Sequence, residues 1–176
     1  MSIPALQRLV DQLDAVMSGP ADALEQGVTA ALKSALSEPE WLPADRRRAS
    51  HDNYARHVLH GDAAGRFSIL AIVWNPGQMS PIHAHHTWCG VAVYRGTLVE
   101  TFFRNDEAPG AMPMAIRTVL RAAHTLSFDR PLTAIHRVAN EGVETAISIH
   151  VYGVGRDKIA SGVNRIYQEA QMVNSK

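Results

Sequence analysis

A short run of histidines is the densest chemical feature of the sequence, with His83, His85 and His86 close together. If this segment is a β-strand, His83 and His85 project from one face because successive side chains alternate, and His86 projects from the other. Two imidazoles on one face can bind the same transition-metal ion. The pair therefore predicts a metal site, and a third ligand would make that prediction far more specific.

Two histidines further along the chain could supply the third ligand. One is His136, and the other is His150 in the segment Ser148-Ile-His150-Val-Tyr152. Their positions alone leave both open.

The segment around His150 alternates in a way that is typical of a barrel strand. Ser148, His150 and Tyr152 occupy one face, and the other face is wholly apolar, with Ile147, Ile149 and Val151. In a barrel, the apolar face packs outward against a covering layer and the polar face lines the interior. Buried polar side chains need hydrogen-bond partners, so these three are expected to form a relay.

The elements that must position these residues divide the chain into two parts. Apolar residues recur every three or four positions from Ile3 to Met17 and from Leu24 to Leu36, which predicts two amphipathic helices within residues 1–40. From about residue 54 to 153, short apolar or alternating runs are separated by turn residues. This pattern predicts an antiparallel β-sandwich or small barrel, followed by a C-terminal tail.

One pair of strands is expected to form a hairpin. The runs Val91–Tyr94 and Thr97–Phe103 are separated only by Arg95-Gly96, and short loops that contain glycine commonly join antiparallel strands.

Composition limits the possible partners. The 176 residues predict a single domain, and 17 basic residues balance 17 acidic ones, so no net positive charge attracts nucleic acid or an anionic membrane. The single cysteine excludes an internal disulfide, and no apolar run approaches the roughly 18 residues of a membrane span. A cytoplasmic protein is expected, and the oligomeric state is left open.

Two stretches resemble the paired motifs of the cupin superfamily. The matching residues are Gly77, His83, His85 and Gly96 in the first motif, and Pro131, His136 and Asn140 in the second. The resemblance implies a mainly β fold, a double-stranded β-helix with N-terminal α-helices, whose interior binds a metal through His83, His85 and His136. Thr133 replaces a glycine of the second motif.

The first motif also lacks the glutamate ligand of most cupins, because residues 86–90 contain no carboxylate. Three neutral imidazoles leave the charge of a divalent ion uncompensated. Such a centre favours an anionic ligand such as a thiolate, together with O2, over hydrolytic chemistry.

The three-histidine cupin, the segment from Ser148 to Tyr152 and the upstream Tyr54-Ala-Arg56 together resemble the cysteine dioxygenase family of thiol dioxygenases, over about residues 50–155. The resemblance implies an Fe(II) centre that binds a small thiol carboxylate and O2 and yields a sulfinic acid. It also implies that Arg56 binds the substrate carboxylate, and that Tyr152, ordered by His150 and Ser148, lies beside the iron.

Arginine is suited to the role assigned to Arg56, since its planar guanidinium can bind a carboxylate through two hydrogen bonds. Tyr54 lies on the same strand face and is a second substrate-binding candidate. Arg165 is a third, because bacterial members of the family that prefer 3-mercaptopropionate use an arginine from the C-terminal region. L-Cysteine and 3-mercaptopropionate both remain open as substrates.

Cys89 competes with Gly90 for the position of the missing glutamate. Counting forward from His85 favours Gly90, whereas counting back from Gly96 favours Cys89. We favour Cys89, because the strand that leads to Gly96 is continuous. Mammalian-type cysteine dioxygenases link a cysteine at this position to the tyrosine, so a thioether between Cys89 and Tyr152 could form here.

Two other functions share the same metal ligands. One is a non-oxidative metal-dependent cupin, an isomerase or lyase, and the other is a cupin that binds a metal or ligand without turnover.

Overall fold

The computed structural model describes residues 4–38, 40–105 and 112–168. Two α-helices come first, α1 (Pro4–Met17) and α2 (Leu24–Leu36), as their apolar periodicity predicts. Short 3-10 helices span Ala21–Ala23, Ala44–Arg47 and Arg156–Lys158.

Ten strands follow the helices: β1 (Ala55–Gly61), β2 (Ser68–Trp74), β3 (His83–His85), β4 (Cys89–Arg95), β5 (Thr97–Arg104), β6 (Met114–Ala122), β7 (Leu126–Asp129), β8 (Ile135–Ala139), β9 (Ala146–Tyr152) and β10 (Asn164–Ile166). They form two five-stranded sheets, and every strand pairing in the described part of the chain is antiparallel. Sheet A has the order β1-β2-β9-β4-β7, and sheet B has the order β10-β3-β8-β5-β6.

The helices cover the outer face of sheet A. Apolar residues of both helices, among them Leu13 and Val28, join one buried cluster with Ile147, Ile149 and Val151 of β9. The apolar face of β9 therefore packs outward against a covering layer, as its alternation predicts. The polar face of β9 is left to point between the sheets.

The prediction that β4 and β5 form a hairpin is wrong. β4 pairs with β7 and β9 in sheet A, whereas β5 pairs with β6 and β8 in sheet B. Gly96 lies at the corner with φ +75°, and a Cβ there would lie only 3.0 Å from Cα of Ala146. The glycine turns the chain from one sheet to the other and does not fold it back on itself.

The strands also continue beyond residue 153. β10 pairs antiparallel with β3, so the C-terminal tail closes the edge of sheet B beside the histidine pair.

Candidate active site

Three histidines of sheet B converge in the interior. His83 and His85 share a face of β3, and His136 of β8 is the register partner of His83. All three are buried, and one ring nitrogen from each lies within 4.8 Å of the others. Of the two candidates for the third position, the fold brings His136 to the pair, whereas His150 lies on the facing sheet.

Hydrogen bonds leave a nitrogen free on each ring. His83 donates from Nδ1 to the carbonyl of Pro81 at 2.9 Å, and Nδ1 of His136 lies 2.7 Å from Oε1 of Glu100. Within the described residues, Nε2 of His136 and both nitrogens of His85 have no hydrogen-bond partner although they are buried. Buried polar atoms are normally satisfied, and a divalent metal bound by these nitrogens would satisfy them. The group therefore fits a metal.

His83 and His85 are also in the protonation state that a metal requires. Burial lowers the pKa of His83 to about 4 and that of His85 well below its usual value, and the proximity of His136 adds to both shifts. At neutral pH both rings are uncharged, which is the form that binds a metal.

Two carboxylates that the sequence analysis missed lie behind the histidines. Glu100 of β5 is buried and accepts hydrogen bonds from His136 and from Nε of Arg121, the latter at 2.8 Å. Burial opposes ionisation, but these two partners outweigh it and hold the pKa of Glu100 below its usual value. The signal in the sequence is a charged residue on the same strand face as the apolar Leu98 and Phe102.

The second carboxylate, Asp129 of β7, lies 3.8 Å from Nδ1 of His85, beyond hydrogen-bond distance. Burial raises the pKa of Asp129. The expectation that residues 86–90 supply no acidic ligand holds, yet the interior is not free of carboxylates.

The polar face of β9 forms a connected relay in sheet A. Nε1 of Trp74 donates to Oγ of Ser148 at 3.0 Å, and Oγ lies 2.8 Å from Nε2 of His150. Nδ1 of His150 lies 3.2 Å from the hydroxyl of Tyr152. Because an indole only donates, the Ser148 hydroxyl can donate to His150, which then donates from Nδ1 to Tyr152. This direction leaves the phenol proton of Tyr152 for another acceptor.

Burial keeps the two titratable members of the relay, His150 and Tyr152, neutral. It lowers the pKa of His150 to about 3 and raises that of Tyr152 well above its usual value. Tyr152 also approaches the three-histidine group, since its ring centroid lies 5.4 Å from that of His85.

Cys89 lies directly opposite Tyr152 in the pairing of β4 with β9. Its side chain is fully buried, and burial raises the pKa of its thiol well above the usual value. Gly90 points the other way, because a Cβ there would lie 2.5 Å from Val28 of α2. Of the two candidates for the glutamate position, Cys89 is therefore the one whose side chain adjoins the tyrosine.

The three histidines border one cavity of about 50 Å3 between the sheets, together with Glu100, His150 and Tyr152. Tyr54 and Arg56 line it as well, and both also line the adjoining depression outside. Tyr54 stacks on Trp74, with ring centroids 4.5 Å apart. Arg56 is exposed enough to meet an incoming anion.

Arg165 is not brought to the cavity. Arg165 lies on β10, where it pairs with Ala84 of β3, and its guanidinium lies over the ring of Tyr167 at 5.1 Å. The neighbouring Asn164 is opposite His85 and lines the cavity instead. No strand was predicted at this position, so the sequence could not indicate which of the two residues faces inward.

The two sheets form the double-stranded β-helix fold of the cupins, with the three-histidine group buried between them. A solved structure with the same architecture is an uncharacterized conserved protein with a double-stranded β-helix domain from Klebsiella pneumoniae, with a TM-score of 0.51 and 18% identity over 75% of this chain and 100% of that one.

The model of the family "Cysteine dioxygenase type I" matches residues 4–161, and the chain belongs to that family. It is 28% identical to cysteine dioxygenase type 1 of Homo sapiens over 151 residues, which is 84% of this chain and 73% of the human protein. The Bos taurus enzyme is 27% identical over the same shares. Membership supports a thiol dioxygenase at the level of the family.

No helix in the described part of the chain combines the length and the hydropathy needed to cross a membrane.

Proposed function

We propose that this protein is an Fe(II)-dependent thiol dioxygenase that oxidises a small thiol carboxylate, L-cysteine or 3-mercaptopropionate, to its sulfinic acid with O2. The observation that carries the proposal is a single cavity that joins three elements. These are the three-histidine group with unpartnered buried nitrogens, the hydroxyl of Tyr152, and the guanidinium of Arg56. Family membership supports the same activity.

Bound by His83, His85 and His136, a ferrous ion would supply the redox chemistry that couples a thiolate to O2. Three neutral ligands leave the divalent charge uncompensated, which favours capture of the substrate as its thiolate.

Arg56 would hold the other end of the substrate. Its guanidinium can bind a carboxylate through two charge-assisted hydrogen bonds, and this second attachment fixes the orientation of the sulfur in the cavity. A thiol without a carboxylate would lack the attachment and bind more weakly.

Tyr152 would act as a hydrogen-bond donor toward the reacting atoms. In the direction that makes Ser148 the donor to His150, the Tyr152 oxygen accepts from Nδ1 of His150, and the phenol proton would be directed away from the relay. Burial keeps Tyr152 protonated, and a neutral phenol in a dry cavity donates a strong hydrogen bond to developing negative charge.

The direct test is O2 consumption by protein purified without metal and loaded anaerobically with Fe(II). We expect O2 uptake with cysteine or 3-mercaptopropionate, matched by sulfinate formation in the NMR spectrum, and far slower uptake with cysteamine, which lacks the carboxylate. His83→Ala should abolish uptake, whereas the matched control His86→Ala changes an exposed histidine three positions away and should retain it.

No uptake with either thiol acid by iron-loaded protein would refute the proposal. Turnover of another substrate with zinc, manganese or nickel would instead support a non-oxidative cupin, and tight ligand binding without turnover would support a binding protein. The ratio of kcat/KM for cysteine and 3-mercaptopropionate would identify the preferred substrate.

A further inference from the structure

The pair formed by Glu100 and Arg121 has no part in the mechanism above, although both residues line the cavity. Glu100 is 4% exposed and makes two kinds of contact. Its Oε1 lies 2.7 Å from Nδ1 of His136, and its Oε2 lies 2.8 Å from Nε and 2.6 Å from Nη2 of Arg121. Each carboxylate oxygen therefore has its own partner.

The contact with His136 determines which ring nitrogen can bind a metal. A neutral imidazole carries its proton on either nitrogen, and a carboxylate at Nδ1 selects the form that is protonated there. Nε2 then keeps its lone pair, and this is the atom of His136 that is buried without a partner in the described residues. The negative charge of Glu100 also makes the ring a stronger ligand.

Arg121 makes this arrangement stable. A carboxylate buried without a partner is costly, and a guanidinium offers donors in a fixed geometry. Because Arg121 binds only Oε2, it holds the carboxylate in place while Oε1 remains free to accept from His136. The side chain of Arg121 is 24% exposed, so its own charge stays partly solvated.

The other two ligands are held differently. His83 donates to the backbone carbonyl of Pro81, and the carboxylate nearest to His85 lies beyond hydrogen-bond distance at 3.8 Å. Among the three ligands, His136 is thus the one that hydrogen-bonds to a carboxylate in the described structure.

We propose that Glu100 and Arg121 are positioning residues of the metal centre: Glu100 holds His136 in the form protonated at Nδ1 and strengthens it as a ligand, and Arg121 acts on the metal only through Glu100. The inference rests on the metal centre of the proposed function and does not depend on the identity of the substrate.

The first test observes the ring directly. Long-range 1H–15N NMR spectra of metal-free protein at pH 8 distinguish the two neutral forms of a histidine, and the His136 signals are those lost in His136→Gln. We expect the form protonated at Nδ1 in the wild type and a shift toward the other form in Glu100→Gln. A wild-type ring protonated at Nε2, or an unchanged ring in the variant, would overturn the proposal.

The second test measures Co2+ affinity by calorimetry in wild type, Glu100→Gln, Arg121→Gln and the double variant. We expect each single change to weaken binding by about 10-fold to 100-fold, the range found when such outer partners are lost. Because Arg121 acts through Glu100, the double variant should bind no more weakly than Glu100→Gln. The matched control is Arg117→Gln, an exposed arginine of the same strand that lies over Phe102.

Unchanged Co2+ affinity in folded Glu100→Gln would refute the role of Glu100. If the affinity losses of the two single variants add up in the double variant, Arg121 does not act through Glu100. If Glu100→Gln does not fold, the affinity of Arg121→Gln decides, because that side chain is partly exposed. Neither test uses a thiol or O2. An iron-loaded wild type that fails to oxidise thiols would refute the proposed function and leave these results intact.

Discussion

Burial keeps His83, His85 and His150 uncharged in the folded protein, whereas the same residues take up protons near pH 6.5 once the chain unfolds. Between the folded pKa values of these histidines and pH 6.5, the unfolded state binds more protons than the folded state, so acid favours unfolding. Their contribution leaves the free energy of unfolding highest above pH 6.5. It lowers that free energy as the pH falls toward their folded-state pKa values. The metal-free protein should therefore be destabilised by mild acid.

The magnitude follows from the pKa of about 4 for His83 and about 3 for His150. With unfolded values near 6.5, each should lower the free energy of unfolding by about 2 kcal/mol between pH 7 and pH 5, and together by about 4 kcal/mol. His85 shifts in the same direction and adds to the loss, whereas Asp129, whose pKa is raised, opposes it. A loss of this size is large against the roughly 5–15 kcal/mol that stabilises a typical domain.

The assay is urea unfolding of metal-free protein at pH 7 and pH 5, followed by circular dichroism in the presence of a chelator. His150→Gln removes one buried titrating group without removing a metal ligand, and it should reduce the loss by about 2 kcal/mol. His86→Gln changes an exposed histidine and should leave the loss as in the wild type. Equal stability of the wild type at both pH values, or an undiminished loss in His150→Gln, would show that burial of these rings does not control the acid response.

Three further predictions test other parts of the site and fold. Arg56→Ala should raise KM for the thiol acid by about 10-fold or more, since even one charge-assisted hydrogen bond contributes about 1.5–3 kcal/mol; steady-state O2 uptake with unchanged KM would contradict the role of Arg56 in binding the carboxylate. If Cys89 and Tyr152 become linked during iron-dependent turnover, the intact mass of denatured protein should fall by the mass of a hydrogen molecule and should not fall in Cys89→Ala. Gly96→Ala should destabilise the protein by about 3 kcal/mol in urea, because it combines a positive φ with a crowded Cβ position; a midpoint equal to that of the wild type would refute the corner geometry.

The helices and the common strand face of His83 and His85 could be predicted because their signals are local. The periodicity of α1 and α2 lies within single segments, and the placement of His83 and His85 on one face needs only a strand. The apolar face of β9 likewise indicated that a layer would cover it. Each inference depends on residues that are close in sequence.

The arrangement of β4 and β5 could not be predicted because it depends on distant partners. A glycine between two strands indicates a change of direction, but a hairpin and a corner between sheets both need one. The pairing of Cys89 with Tyr152, far apart in the sequence, decides between them. The same limit applies to β10, whose three residues form a strand through contact with β3.

The carboxylates behind the histidines show a different limit. Glu100 has no fixed spacing from the ligand motif, and a glutamate in a strand is ordinarily solvated. Its role as an acceptor for His136 depends on the register of β5 with β8, in which Phe102 pairs with His136. A single sequence does not contain that register.

The two sheets divide the site between them. The three histidines proposed as metal ligands stand on sheet B, whereas Arg56 and Tyr152 stand on sheet A. A substrate bound by its sulfur to the metal and by its carboxylate to Arg56 would span the gap between the two sheets. Its permitted length would then be set by the thickness of the barrel at that level. Substitutions among the core side chains that separate the sheets could change the length of thiol acid that is accepted while every residue of the site stayed the same.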